Sequence, residues 1–566
     1  MKEEKIIRAR RLQRIKKYIE KAKYASEFKD EIETYKEELE LLERSKSHSQ
    51  KNKFGFQESD GEISEVLKSM SPPRLIEFIK NFKSSFETTH DDIARIISVL
   101  VEEEPTKYIT ISGRLLEKGI YPIYIYWFLE GLEKALEVGK YFNWDPVLNL
   151  CEKAIKIEKE PTDNSKEDYR DFGRYSWVRR EVASLIGVAI QKNHKGIPAR
   201  YFMKFKEILF FIIENDKNPT EENEKEFGGD NMDYITYSLN CNRGKAMHSL
   251  IEYALKFNIL QFEESKTVLF EDDVKTLLEK RITEEKSPSV QSVYGIYLNN
   301  IFYLDYDWTK SLIIERKLFP KQDERKVFWE AHWYGFIAYG KFSKELFALL
   351  KDDYDKAVEL LNESKKDNLG ILKYDNKLAE HLMYAYFNGI EDFENEDSII
   401  NKFFKIASED LRNHAIYFLG TSMEGREIRS EDKERLKKLW RWRLKEVKDS
   451  ELIGFISWLK NWPESIKEIE GLVLPIIYLI HQDHKEGELL EYIKSNISEN
   501  SENAINLLRE LVHVEKSLQN LFFDLEILEE IIKIANTKPN LKYSLIEIVD
   551  ILLQAGYQSL KDLLAN

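Results

Sequence analysis

The most regular feature of this chain is the recurrence of apolar residues every three or four positions, with charged residues between them. This spacing predicts helices that bury one face and expose the other. In residues 234–257, one such stripe is formed by Ala246, Met247, Leu250, Ile251 and Ala254. Similar stretches follow one another along most of the sequence with short links, which favours antiparallel neighbours. Because no strict repeat period emerges, the pattern predicts an all-α fold, an irregular α-solenoid of stacked antiparallel helix pairs.

The same pattern divides the chain into three parts. Residues 1–50 predict an N-terminal helical hairpin or coiled-coil arm, with a basic first half and an acidic second half. Residues 61–215 and 233–566 predict a first and a second segment of helical repeats. Between these segments, residues 215–233 are polar and contain a proline and two adjacent glycines. We expect a long exposed loop there.

The composition narrows the class of protein. A net charge of -15 disfavours a chain that binds nucleic acid along its whole length. The two cysteines, Cys151 and Cys241, are too few and too far apart for a disulfide framework or a cysteine metal site, which suits a reducing cytoplasm. No apolar run is long enough to span a bilayer, and the N-terminal residues have no signal-peptide core. We expect a soluble cytoplasmic protein.

The common catalytic motifs are missing from the sequence. The string nearest to a nucleotide-binding P-loop, Arg243-Gly244-Lys245-Ala246, lacks both the preceding glycine loop and the hydroxyl that would reach Mg²⁺. The sequence also contains no dinucleotide-binding glycine motif, no G-x-S-x-G nucleophile elbow and no H-E-x-x-H zinc motif. We therefore expect no cofactor and assign no catalytic residue.

Arg243 and Gly244 are an unusual pair at the start of a helix. Glycine allows close backbone approach, and the first helical turn has unpaired N–H groups beside the fixed cation. The pair predicts either a packing joint between helices or an anion site. Arg243 and His248 also have an R-x4-H spacing similar to that of the HEPN-type ribonucleases. Residues five apart point about 140° apart on an ideal helix, so these two would converge only through a dimer or a distorted helix start. Otherwise Arg243 anchors a neighbouring helix end or an acidic side chain.

Two histidine-containing stretches carry weaker signals of metal chemistry. His90 and Asp91 are similar to the pair found in metal-dependent phosphohydrolases, but Thr89 or Asp91 as a helix N-cap is the simpler explanation. His481 and His484 lie one helical turn apart, where a divalent metal could bridge them, but no third ligand is placed. We therefore predict no metal site.

Several short runs, taken together, resemble a region of very large bacterial proteins. They are Met70-Ser71-Pro72-Pro73, Asn143-Trp144-Asp145-Pro146, Trp177-Val178-Arg179-Arg180-Glu181, Asn240-Cys241-Asn242-Arg243-Gly244-Lys245 and Trp329-Glu330-Ala331-His332-Trp333. From Glu62 onward the chain is similar to the C-terminal helical region of the STAND-type NTPases of antiphage defence. In that family this region senses a phage protein and licenses oligomerisation and effector action. Because the sequence has no Walker motifs, the resemblance implies the sensor part alone, as a portion of a larger protein or as a subunit beside an ATPase.

The sequence therefore predicts a non-enzymatic helical scaffold that binds a protein partner. By the resemblance, that partner is a phage protein or an ATPase or effector of a defence system, and neither nucleic acid nor a membrane is expected. Arginine and aromatic anchors dominate the affinity of many protein interfaces. The candidate binding residues are Arg179, Arg180, Arg243 and Lys245.

The rival hypothesis is an enzyme. It would be a HEPN-like ribonuclease using Arg243 and His248, or a metal-dependent phosphohydrolase using His90 and Asp91. Catalysis requires such groups to converge in a cleft, whereas a scaffold allows them to be scattered or buried.

Overall fold

The computed structural model describes most of the chain beyond residue 57. The described residues are 58–84, 88–159, 172–192, 199–227, 233–265, 268, 270–321, 325–361, 374–423, 428–448, 450–460, 466–480, 485–517 and 523–563. The predicted hairpin or coiled coil of residues 1–50 lies outside them, as do His481 and His484.

Over the described residues the fold is all-α, with 29 α-helices and no β-strand. This confirms the predicted fold class. Helices that are close in the sequence also pack against each other. The chain forms two compact units, Met1–Ile212 and Ile213–Asn566. Within the described ranges, no helix combines the length and the apolar character needed to cross a membrane.

The first unit is built around three helices that pack side by side. Its helices are α1 (Glu58–Ser69), α2 (Pro72–Asn81), α3 (His90–Glu103), α4 (Pro105–Tyr108), α5 (Pro122–Glu137), α6 (Trp144–Ala154), α7 (Tyr175–Gln191) and α8 (Ala199–Asn215), which begins in this unit. α5 lies between α3 and α7 and packs against both.

The second unit is a longer succession of helices. They are α9 (Glu221–Phe227), α10 (Tyr234–Asn240), α11 (Asn242–Ser265), α12 (Asp272–Glu284), α13 (Pro288–Ile296), α14 (Leu298–Leu304), α15 (Tyr306–Ile314), α16 (Lys326–Tyr339), α17 (Lys344–Leu349), α18 (Lys351–Leu360), α19 (Asp375–Phe387), α20 (Ile399–Ile406), α21 (Glu409–Ser422), α22 (Ser430–Glu446), α23 (Ile456–Leu459), α24 (Ile466–Val473), α25 (Ile477–Ile480), α26 (Glu486–Asn496), α27 (Ser501–Ser517), α28 (Leu525–Asn536) and α29 (Lys542–Gln554). Packing partners include α13 with α16, α19 with α21, and α27 with α29. Each helix therefore buries its apolar face against close neighbours in the chain.

Side-chain caps fix where several helices begin. Of the two N-caps predicted for α3, Thr89 or Asp91, the structure shows Thr89. Its hydroxyl accepts a hydrogen bond from the Asp92 N–H, and the Asp92 carboxylate accepts one from the Thr89 N–H. Serine hydroxyls accept from the third residue beyond them at the starts of α13, α17, α20 and α21; these are Ser287, Ser343, Ser398 and Ser408. Such a cap stabilises a helix by about 1 kcal/mol.

The helices α13 and α16 cross with their backbones in contact. A Cβ added to Gly295 on α13 would lie 2.0 Å from the carbonyl oxygen of His332, and one added to Gly335 on α16 would lie 2.3 Å from that of Ser292. Glycine is therefore required at both positions, because no other residue leaves room for the facing backbone.

The described part of residues 215–233 is not the exposed loop that the sequence predicted. Residues 221–227 form α9, and Glu224 within it is buried. The Glu224 carboxylate accepts hydrogen bonds from the Ser287 hydroxyl at 2.6 Å and from the Ser289 N–H at 3.2 Å. Proline and glycine predict turns from local preferences alone, whereas packing against the start of α13 decides the structure here.

A buried carboxyl pair joins α5 to α7 in the first unit. Glu181 on α7 is only 6 % exposed. Burial and the hydrogen-bonded carboxyl of Glu133 raise the pKa of Glu181 well above its ordinary value, although the charge of Arg180 opposes this. Burial beside Glu133 therefore favours the protonated form of Glu181.

Replacing Glu181 with glutamine should stabilise the protein at alkaline pH. Because the folded-state pKa of Glu181 is raised, its protonation stabilises the folded state. This stabilisation is complete below the unfolded-state pKa of about 4.3 and is lost as the pH rises through the folded-state pKa. Glutamine imitates the protonated form at every pH. We expect Glu181→Gln to gain about 1–3 kcal/mol over wild type at high pH, the cost of an uncompensated buried group. Thermal unfolding from pH 5 to pH 9 tests this, with Glu137→Gln at the exposed end of α5 as control. An advantage that does not grow with pH contradicts the raised pKa of Glu181.

Candidate functional site

Arg243 lies at the start of α11 and is enclosed by residues from two other segments. Its Nε and Nη2 bind the two carboxylate oxygens of Glu285 at 2.9 and 2.7 Å. Nη1 donates to the carbonyl of Asp216 and Nη2 to that of Pro219, each at 3.0 Å. The residue is 8 % exposed, and all three guanidinium nitrogens are used. Of the two predicted alternatives, Arg243 therefore forms the packing joint.

Gly244 allows this joint to form. A Cβ at this position would lie 2.2 Å from the carbonyl oxygen of Ser238. The start of α11 therefore touches the end of α10, the close approach that the glycine predicted. Cys241 lies between the two helices, and burial raises the pKa of its thiol to about 12. Such a thiol is not poised for nucleophilic chemistry.

Glu285 connects the joint to a buried polar chain. Its backbone carbonyl and that of Ile282 accept hydrogen bonds from the amide of Gln291 at 3.1 and 3.0 Å. The amide oxygen of Gln291 lies 3.0 Å from Nε2 of His332, and Nδ1 of His332 accepts from the Phe319 N–H at 3.1 Å. His332 is thus a neutral imidazole, and burial lowers its pKa to about 3. Glu285, Gln291 and His332 are all buried, so these contacts organise the core.

His248 contacts a different set of residues from Arg243. Its Nε2 lies 2.8 Å from the hydroxyl of Ser238, and its Nδ1 lies 3.4 Å from that of Tyr297. Burial, with a smaller effect of Lys245, lowers the pKa of His248 to about 3. In the described chain the two side chains do not converge, so the geometry gives the ribonuclease hypothesis no support.

His90 and Asp91 also have structural partners. His90 is buried, with Nδ1 2.7 Å from the hydroxyl of Tyr124. Asp91 accepts from Nε of Arg95 at 2.8 Å and from the indole of Trp127 at 2.7 Å. Across the ranges that the structure describes, no group of three or more His, Cys, Asp and Glu side chains is placed to hold a metal ion. The phosphohydrolase hypothesis likewise receives no geometric support.

The other candidate binding residues have varied surroundings. Arg179 donates from Nη1 to the carbonyl of Ile157 at 3.0 Å. Arg180 lies beside Glu181, and Lys245 is partly exposed on the first turn of α11. Their role in binding stays a prediction, and Arg243 uses four of its five N–H donors within the chain.

An open groove in the second unit has the character of a binding site. We name it the aromatic–arginine groove; it encloses about 650 Å³ and is lined by Phe393, Glu394, Glu396, Asn401, Phe404, Lys405, Arg412, Trp442, Arg443, Glu446 and Val447. These residues come from the loop before α20 and from α20, α21 and α22 with the residue that follows it. Three helices and the loop before α20 therefore supply the lining of the groove.

Aromatic rings form one wall of the groove. Phe393 stacks on Trp442 with ring centres 4.4 Å apart and planes within 5°, and Phe404 meets Trp442 edge to face at 5.4 Å. The guanidinium of Arg443 lies over both Trp442 and Phe404, 4.6 and 4.7 Å from their ring centres. Cation–π contacts of this kind fix the position of an arginine.

Two arginines share one carboxylate at the floor of the groove. Glu451 is fully buried and binds Nε of Arg443 at 2.6 Å and also Nε of Arg412. These three side chains carry a net positive charge, and the groove lining as a whole balances three cations against three carboxylates. Within the described chain, the two terminal nitrogens of Arg443 have no hydrogen-bond acceptor, although the side chain is only 4 % exposed.

Asn401 contributes a buried amide to the lining of the groove. Its amide donates to the carbonyl of Phe393 at 2.7 Å, which fixes the orientation of the side chain. Its Oδ1 has no hydrogen-bond partner among the described residues, and the residue is 6 % exposed. This oxygen is inaccessible to solvent and so does not open into the groove, and a buried acceptor without a partner costs about 1–3 kcal/mol.

The sequence contained one overlooked signal of this groove. Trp440 and Trp442 alternate with Arg441 and Arg443, and residues two apart on a helix face different directions. Trp440 is fully buried, whereas Trp442 is partly exposed in the groove. Such a pair indicates that one aromatic residue serves a surface other than the core.

Comparison with protein families and with curated proteins finds no match to this chain. The fold class therefore rests on the helices and their packing, and the function has to be argued from the site.

Proposed function

We propose that this chain is a helical scaffold that binds a protein partner in the aromatic–arginine groove and performs no chemical step. The observation that carries the proposal is the groove itself, in which aromatic rings and two arginines surround open space. Tryptophan and arginine are the residues that most often dominate binding energy at protein interfaces. A groove supported by helices also keeps its shape on binding, which lowers the entropic cost of association.

The resemblance to the sensor region of STAND-type NTPases supports a more specific proposal. The partner would be a phage protein, or an ATPase or effector of the same defence system, met in the cytoplasm. The motifs that carry the resemblance lie on α2, α6, α7, α11 and α16, so they bear on the scaffold and not on the groove. The partner's identity therefore has to come from capture experiments.

Filling the groove should abolish partner binding. Lys405 is exposed on α20 and lines the groove, so tryptophan at this position would occupy the space without removing a buried contact. We expect Lys405→Trp to weaken binding at least tenfold, about 1.4 kcal/mol. Partners would be captured from infected and uninfected cells, purified, and their Kd measured by interferometry.

Lys467→Trp is the matched control, because Lys467 is also an exposed helical lysine of the second unit but does not line the groove. Equal affinity of both variants and wild type for every captured partner would contradict the proposal. So would the capture of housekeeping proteins alone.

A further inference from the structure

We propose that the aromatic–arginine groove recognises a single acidic side chain of its protein partner, which binds through its carboxylate to the terminal nitrogens of Arg443. This inference rests on the proposed function and names the group that the partner presents. It is carried by the unused donors of a buried arginine, by the contacts that hold this arginine in place, and by the balance of charge in the lining.

Arg443 uses only part of its hydrogen-bonding capacity within the chain. Its Nε donates to one oxygen of Glu451 at 2.6 Å, and the other oxygen of Glu451 binds Arg412. The terminal nitrogens of Arg443, which carry four of its five N–H donors, have no acceptor among the described residues. Although the side chain is almost entirely buried, neither nitrogen is fully enclosed, and Arg443 lines the groove. An acceptor can therefore reach them from the groove.

A carboxylate is the ligand group that matches these donors. The two terminal nitrogens of a guanidinium lie in one plane and bind the two oxygens of a carboxylate with parallel hydrogen bonds. A neutral carbonyl would bind without compensating the charge of Arg443. The ion pair with Glu451 and the rings of Phe404 and Trp442 already hold the guanidinium in place, so little conformational entropy is lost on binding.

The charges of the lining favour one carboxylate over a highly charged ligand. The groove lining contains three cations and three carboxylates, which are Lys405, Arg412, Arg443, Glu394, Glu396 and Glu446. A tract of acidic residues would meet the three glutamates, and a basic segment would meet the three cations. A phosphoryl group, with a charge of about −1.5 to −2 at neutral pH, would be repelled by the glutamates more than a carboxylate. One acidic side chain among uncharged neighbours avoids these penalties.

The aromatic wall favours an acidic side chain over the carboxylate at a chain end. The methylene groups of aspartate or glutamate can pack against the rings of Phe404 and Trp442, over which the guanidinium lies. A chain end would instead bring its last main-chain N–H against these rings, and a polar group that loses water without gaining a partner costs free energy. The amide oxygen of Asn401 cannot accept from it, because this oxygen is enclosed. We therefore assign the carboxylate to a side chain.

Selection from a random peptide library tests the inference with the full-length protein. Peptides would be selected for binding to wild type and against Lys405→Trp, in which the groove is filled. We expect the selected peptides to share one aspartate or glutamate beside apolar residues. In a synthetic peptide measured by fluorescence anisotropy, replacing this acid by its amide should weaken binding to wild type about tenfold or more, because the charge-assisted pair is lost. This comparison uses wild type alone, so its outcome does not depend on the folding of a variant.

The role of Arg443 is tested by Arg443→Lys, with the exposed Arg441→Lys on the same helix, α22, as control. Lysine keeps the charge and can still bind Glu451, but it lacks the paired terminal nitrogens. We expect the acid and amide forms of the peptide to bind Arg443→Lys within about threefold of each other. Arg441→Lys should retain the full difference. Thermal unfolding of both variants separates a loss of folding from a loss of recognition.

The inference is wrong if the selected peptides have no acidic residue in common, or if the acid and amide forms bind wild type equally. It is also wrong if a folded Arg443→Lys retains the full difference between these forms, or if binding depends on a free chain end, shown by amidating the C terminus. A library that yields no binder overturns it too, and the proposed function still stands if Lys405→Trp abolishes capture of the natural partner. If Lys405→Trp leaves that capture unchanged, the proposed function fails as well.

Discussion

Replacing Arg243 with methionine should lower the free energy of unfolding of the second unit by about 3–5 kcal/mol. Removing one partner of a buried ion pair leaves the other charge uncompensated, and this range is typical of that change. Here Glu285 would keep only Arg281 as a cationic partner, and the carbonyls of Asp216 and Pro219 would lose their donor. Urea unfolding followed by tryptophan fluorescence measures the loss. Hydrogen exchange of α11 and α12 locates it.

The control for this variant is Lys280→Met on α12. Lys280 lies 2.9 Å from Glu214, but both side chains are more than 40 % exposed. An exposed pair contributes about 0–1 kcal/mol, so we expect little change. Equal losses in the two variants would show that Arg243 is not a joint of the core.

The Arg243→Met variant should also have a distinct pH dependence. Burial alone would raise the pKa of Glu285, but hydrogen bonds from Arg243 and the charges of Arg243 and Arg281 lower it below its ordinary value. In wild type this group therefore stabilises the fold above pH of about 4.3 and loses its effect as the pH falls through the folded-state pKa. Without Arg243 the pKa of Glu285 rises, so the difference between wild type and variant should grow from pH 4 to pH 8.

Gly295→Ala is expected to destabilise the protein by about 1–2 kcal/mol. Alanine is favoured over glycine by about 1 kcal/mol within a helix. The new Cβ, however, would lie 2.0 Å from the carbonyl oxygen of His332 and 2.8 Å from the Phe336 nitrogen. Both are backbone atoms, so α13 and α16 would have to move apart, and overpacking of this kind costs about 1–3 kcal/mol or more. Thermal unfolding measures the net effect.

Gly471→Ala is expected to have the opposite effect on stability. Gly471 lies within α24, is exposed, and has no atom within 4 Å of an added Cβ. This substitution should stabilise the protein by about 0.5–1 kcal/mol. A stabilising effect of both alanines would contradict the contact between the two helix backbones.

Local features of the fold could be predicted from the sequence because they depend on neighbouring residues. The helical stripes, the Thr89 cap and the close approach at Gly244 all follow from spacing and residue type. The partner of Arg243 could not be predicted in the same way, because Glu285 lies on another helix and only packing brings the two together. The prediction of a loop at residues 215–233 is wrong for the same reason. Glu224 is held by Ser287 and Ser289, which are distant in the sequence.

The groove could not be predicted because its parts are distant in the sequence. Phe393, Asn401 and Trp442 come from a loop and two helices, and each alone has an ordinary structural explanation. Their significance arises only from the space that they line together. The alternating tryptophans and arginines of α22 indicate a second surface, but not which residues complete it.

The polar chain through Gln291 and His332 has a consequence for how this protein moves. If α16 slid along α13 by one helical turn, about 5.4 Å, His332 would leave both the Phe319 N–H and the Gln291 amide. Each buried group that loses its hydrogen bond in this way costs about 1–3 kcal/mol. Gly295 and Gly335 would also no longer lie opposite the backbone that they now face. Sliding is therefore suppressed at this crossing, and we expect any flexing of the second unit to occur by hinging at other helix contacts.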